Sequence, residues 1–82
     1  MKCVLIAEDE ASIRDFVVIN LKRSGYEVFE ASNGEEAIKL FDEHYNEIDI
    51  AILDIMMPVI DGLEVCKYLR NKSKRLGIIM LT

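Results

Sequence analysis

A doubly wound parallel α/β sheet is the fold this sequence predicts, and three observations predict it. Short apolar runs and amphipathic stretches alternate strictly, in the order βαβαβαβ. The first, third and fourth runs are nearly continuous in apolar residues, as strands covered on both faces are. Acidic residues end the first and third runs, where open sheets of this kind bind their ligands.

Each element has its own signal. Lys2 to Ala7 is a β-type run closed by Glu8-Asp9-Glu10. Ala11 to Ser24 carries Ile13, Phe16, Val17 and Leu21 at helical spacing, and Gly25 stops it. Tyr26 to Ala31 sets Tyr26, Val28 and Ala31 against Glu27 and Glu30, an edge-strand pattern that only Phe29 breaks. Ser32-Asn33-Gly34 is a turn, and Glu35 to His44 reads as the second helix through Ala37, Ile38, Leu40 and Phe41. Ile48 to Leu53 is a strand apolar except for Asp49. Asp54 to Asp61 is a loop with the only proline, followed by a helix over Gly62 to Lys72 and a last strand over Gly77 to Leu81.

The 82 residues allow one domain. An apolar fraction of 51% excludes intrinsic disorder, and no apolar run approaches the ~20 residues of a membrane span. Acids interrupt the apolar start too early for a signal peptide, so a cytoplasmic location and no membrane partner are expected. The net charge of −5 and the scattered basic residues argue against direct nucleic-acid binding. Cys3 and Cys66 have no metal-ligand spacing and read as two buried thiols.

If the first and third strands are neighbours, Glu8, Asp9 and Asp54 converge on one small volume. Like charges a few ångströms apart repel by about 1–4 kcal/mol at surface-like dielectric constants. A proton or a cation must relieve them, and hard oxygen donors at a half-open site suit Mg²⁺. A carboxylate beside Mg²⁺ can serve as a nucleophile toward phosphorus. Glu10 reads as a cap for the first helix, whereas Asp54 ends a strand and has no helix to cap.

Three segments carry a resemblance over Lys2 to Thr82. Ala7-Glu8-Asp9-Glu10, Asn33-Gly34-Glu35-Glu36-Ala37 and above all Asp54-Ile55-Met56-Met57-Pro58-Val59-Ile60-Asp61-Gly62 resemble the receiver domain of two-component response regulators, a flavodoxin-like fold. The resemblance implies Asp54 as phospho-acceptor, served by a sensor histidine kinase or a small acyl-phosphate donor. It implies Asp9, Asp54 and the Met56 carbonyl as Mg²⁺ ligands, with Glu8 acting through water. Thr82 would supply the switch hydroxyl, and Pro58 and Gly62 would shape the loop.

The receiver pattern continues beyond the switch Thr with a helix, a Lys-ended strand and a final helix, so 1–82 reads as a truncated receiver. No lysine here can stand in for the missing one, so the switch is expected to be impaired. The alternative is a structural flavodoxin-like fragment with no working switch. Loss of the fifth strand and last helix would bare the edge at Ile78 to Leu81 and the side of the first helix with Phe16 and Ile19, predicting a homo-oligomer. The chain is expected not to be an enzyme. Aspartate-nucleophile phosphatases need an Asp-x-Asp pair after the first strand, and neither Asp9-Glu10-Ala11 nor Asp54-Ile55-Met56 supplies one. His44 reads as a surface residue, Tyr26, Tyr45 and Tyr68 as packing and rim residues, and Arg70 to Arg75 as a solvated helix end and loop.

Overall fold

The computed structural model describes residues 2–81. Seven elements follow in order: β1 (Cys3–Ala7), α1 (Ala11–Arg23), β2 (Glu27–Ala31), α2 (Gly34–Glu43), β3 (Ile50–Asp54), α3 (Gly62–Lys72) and β4 (Gly77–Leu81). The strands form one parallel sheet in the order β2-β1-β3-β4. The sequence prediction holds for all seven elements, with small differences at the ends, and the first and third strands are neighbours.

Those ends have local causes. α2 begins at Gly34 because the Asn33 side chain accepts the Glu36 N–H at 2.8 Å. The Glu36 carboxylate in turn accepts the Ser32 N–H and hydroxyl, both at 2.7 Å. At α3, Asp61 and Glu64 form a reciprocal capping box, which the Asp-x-x-Glu spacing encodes. β3 starts at Ile50 rather than Ile48, and Asp49 is used as a fastener: its carboxylate accepts the Cys3 N–H at 2.9 Å.

Alternation of side chains across the sheet divides the core in two. On one face Val4, Ile6 and Ile52 pack with Val18 of α1. On the other, Leu5, Leu53 and Ala51 pack with Phe41 of α2 and with Val65 and Leu69 of α3. β1 is buried along its whole length, as a central strand must be. Phe29 breaks the alternation of β2 because both faces are covered. Val28 packs toward α1, and Phe29 packs toward the α2 side.

Several bland expectations need correction. Cys3 is buried but Cys66 is only half-buried, because it lies at the margin of the α3 face. Burial and the neighbouring carboxylates of Glu27 and Asp49 push the Cys3 thiol pKa up. His44 is not a plain surface residue: its ring stacks on Phe29, with centroids 4.2 Å apart. Glu10 holds the N-cap position of α1, but its side chain caps no backbone N–H and accepts the Ser12 hydroxyl instead. Arg70 does more than decorate a solvated end. One of its nitrogens donates to the carbonyls of Ser73, Lys74 and Leu76, the last at 2.7 Å, and so closes the α3–β4 loop.

Candidate functional site: an acidic cleft at the carboxyl edge of the sheet

Strand register builds the site. Ala7 of β1 pairs with Leu53 of β3, so the residues that follow them, Glu8 and Asp54, leave the sheet side by side. Carboxylate oxygens of Glu8, Asp9 and Asp54 lie within 4.8 Å of one another. Glu8 is buried at 4% exposure, Asp54 is half-buried and Asp9 is exposed. They floor an open cleft of about 690 Å³ whose other wall is apolar, from Ile13 and Val17 of α1 to Met80 and Leu81 of β4.

Burial, with the Asp54 carboxylate alongside, pushes the Glu8 pKa up; the hydrogen bond it accepts from the Glu10 N–H, at 3.1 Å, opposes that rise. The main chain of Glu8 is fixed from two sides. Its N–H donates to Ala31 at 3.1 Å, and its carbonyl accepts from the Arg14 guanidinium at 2.7 Å. Arg14 also faces Glu30 at 3.7 Å. Its place one turn into α1 gives no local sequence signal for this role. All three clustered donors are carboxylate oxygens at a half-open site, which is the chemistry a hard divalent cation takes.

In the loop from Ile55 to Asp61, Met56 stands two residues beyond Asp54 and touches it. The Met56 N–H donates to Asp54 Oδ1 at 3.3 Å, while its side chain is 79% exposed. Met57 turns inward and is buried. The Met57 and Gly62 N–H groups both donate to the Ile55 carbonyl, at 3.2 and 3.0 Å, and Ile60 donates to the Pro58 carbonyl at 2.9 Å. A Cβ on Gly62 would strike the Asp54 carbonyl oxygen and come within 2.8 Å of its carbon. Only glycine lets α3 start this close to the end of β3. Of the residues expected to carry the chemistry, Glu8, Asp9, Asp54 and Met56 are thus brought together. Pro58 stands exposed at the far side of the loop, and Thr82 lies outside the described residues.

Residues 4–82 match the family model described as the response regulator receiver domain. The chain is 46% identical over 81 residues to the alkaline phosphatase synthesis transcriptional regulatory protein PhoP of Bacillus subtilis. The match covers 99% of this chain and 33% of that protein. The chain therefore spans about a third of the length of that relative. The response regulator TrrA of Thermotoga maritima, solved in complex with Mg²⁺-BeF, superposes with a TM-score of 0.92 at 46% identity, covering all of this chain and 70% of that one. TrrA in complex with the histidine kinase ThkA superposes with a TM-score of 0.88, again at 46% identity, over all of this chain and 69% of that one.

These matches overturn the expectation that the chain is not an enzyme. Receiver domains accept a phosphoryl group, which is bond-making chemistry, even though PhoP is by name a transcriptional regulator. The absence of an Asp-x-Asp pair excluded one kind of phosphoryl chemistry and was read too broadly. Sheet order, acidic cleft and sequence likeness agree: the chain belongs to the response regulator receiver domain family, as a receiver of two-component signalling.

Proposed function

We propose that residues 1–82 form the part of a receiver domain that takes a phosphoryl group from a sensor histidine kinase onto Asp54. The convergence of the Glu8, Asp9 and Asp54 carboxylates beside the braced loop carries this reading. In the proposed step an Asp54 carboxylate oxygen attacks phosphorus and forms an acyl phosphate. The P–N bond to the donor imidazole breaks, and the imidazole leaves with the electron pair. Asp9, Asp54 and the Met56 carbonyl would hold Mg²⁺, with Glu8 acting through water. Bound there, Mg²⁺ would neutralise charge on the transferring group. Leu81 pairs with Asp54, so the end of β4 lies beside the proposed acceptor; the switch hydroxyl, which the family resemblance gives to Thr82, lies outside the described residues.

A second copy is the proposed partner for the exposed apolar residues Phe16 and Ile19 of α1 and Ile79 of β4. Sedimentation at micromolar concentration tests that assembly, and a well-folded monomer would refute it. Phosphorylation is tested with Mg²⁺ and acetyl phosphate, read by intact mass. One added phosphoryl group that disappears in Asp54→Asn is the expected result, and modification that persists in the variant excludes Asp54 as acceptor.

A further inference from the structure

Gly34 opens α2 and is buried, yet nothing about the helix asks for glycine there. Among the described residues, only Gly25 of the glycines has a positive φ. Glycine is also a poor helix former, and the Asn33 cap already starts the helix. The requirement comes from outside the helix. A Cβ on Gly34 would meet the carbonyl oxygen of Ile60, approach the Ile60 Cβ to 2.9 Å and reach 3.0 Å from Val65 Cγ2. The nearest obstacle is main chain, which cannot swing aside as a side-chain tip can.

Ile60 lies in the same loop as Met56, whose N–H donates to the Asp54 carboxylate. That loop is short and internally bonded, through Met57 and Gly62 to Ile55 and through Ile60 to Pro58. Its one left-handed residue, Val59 at φ 69°, leaves it little freedom to absorb a push. Packed elements pass such displacements on rather than damp them. A shift at Ile60 is therefore delivered to Met56, whose N–H holds the Asp54 carboxylate.

We propose that Gly34 is a positioning residue for the phosphoryl-acceptor loop: its missing side chain lets that loop seat against α2 with Met56 in register with Asp54. The proposal rests on the phosphoryl-acceptor reading above. It assigns a function in the acidic site to a residue on a different helix.

The test compares amide NMR spectra of the full chain, Gly34→Ala and Lys39→Ala, the last altering an exposed residue of α2 that faces away from the loop. Before any metal is added, Gly34→Ala is expected to move the Met56 and Ile60 amides, and Lys39→Ala to leave them in place. Unmoved Met56 and Ile60 amides in folded Gly34→Ala overturn the proposal. Mg²⁺ alone is then titrated, and Gly34→Ala is expected to bind roughly 10-fold more weakly than the unaltered chain. Equal affinities overturn the proposal, whereas failure of the unaltered chain to bind Mg²⁺ refutes the metal reading and leaves the metal-free comparison to decide the role of Gly34. Should Gly34→Ala not fold, the unaltered chain decides. A Gly34 amide that moves in step with Met56 during the Mg²⁺ titration supports the coupling, and one that stays fixed while Met56 moves refutes it.

Discussion

Gly62 lies so close to Asp54 that a single added carbon would strike the Asp54 carbonyl. The start of α3 and the end of β3 are thus one joint, and Asp54 cannot move without the helix. Gly62→Ala is expected to destabilise the fold by about 1–3 kcal/mol, the usual cost of forcing atoms into a packed contact. Urea denaturation measures it, and an unchanged midpoint would show that the joint is looser than the contact implies.

Asp54→Asn removes one of three converging charges while keeping the shape of the side chain. Without metal the variant is expected to be more stable than the unaltered chain, because repulsion across the cleft is relieved. Added Mg²⁺ should then raise the melting temperature of the unaltered chain more than that of the variant. Thermal scans with and without Mg²⁺ read both effects, and an equal response would remove Asp54 from the donor set.

Val59 is 97% exposed and holds φ 69°, a conformation that costs a β-branched residue about 1–2 kcal/mol. Its side chain buries almost nothing, so Val59→Gly gives up little packing. Glycine's greater freedom in the unfolded chain takes back part of the gain. A net stabilisation of up to about 1 kcal/mol is expected from chemical denaturation.

Arg70 holds three carbonyls of the α3–β4 loop with one guanidinium nitrogen. Arg70→Ala is expected to cost about 1.5–3 kcal/mol, the range for hydrogen bonds to a charged group. Hydrogen exchange should speed up in residues 73–77 ahead of the β1 amides. Uniform acceleration across the sheet would mean that the loop is not what Arg70 secures.

The Tyr68 hydroxyl donates to the Asp42 carboxylate at 2.7 Å, which pushes the phenol pKa above its ordinary value of 10.0. The folded state then keeps a proton that the unfolded state releases. The bond's contribution is fully present below about pH 10 and is lost as pH rises through the folded pKa. Tyr68→Phe should therefore be less stable than the unaltered chain at neutral pH, with the gap closing on the alkaline side. Denaturation midpoints at a series of pH values test this, and a gap that does not depend on pH would exclude the hydrogen bond as its cause.

Much of the candidate site was legible before any coordinates. Asp54 and Glu8-Asp9 stood at the ends of apolar runs, and a parallel sheet brings such ends to one edge. Asp61 and Glu64 encode the start of α3 by their spacing, and the structure shows the capping box they form. The tasks of Arg14, Arg70 and His44 were not legible at all. Each depends on a partner from another segment or on a turn closing a particular way, and neither composition nor periodicity encodes that.

By itself the sequence determined the order of elements, the parallel sheet and the identity of the acids, because these follow from local periodicity and from chain ends meeting at one edge. Only the tertiary structure decided that Glu8 is the buried acid and Asp9 the exposed one, and that Gly34 and Gly62 are glycines for reasons of contact rather than turn. The physical reason is distance along the chain. Gly34 meets Ile60, and Glu8 meets Asp54, only after the sheet has closed its register.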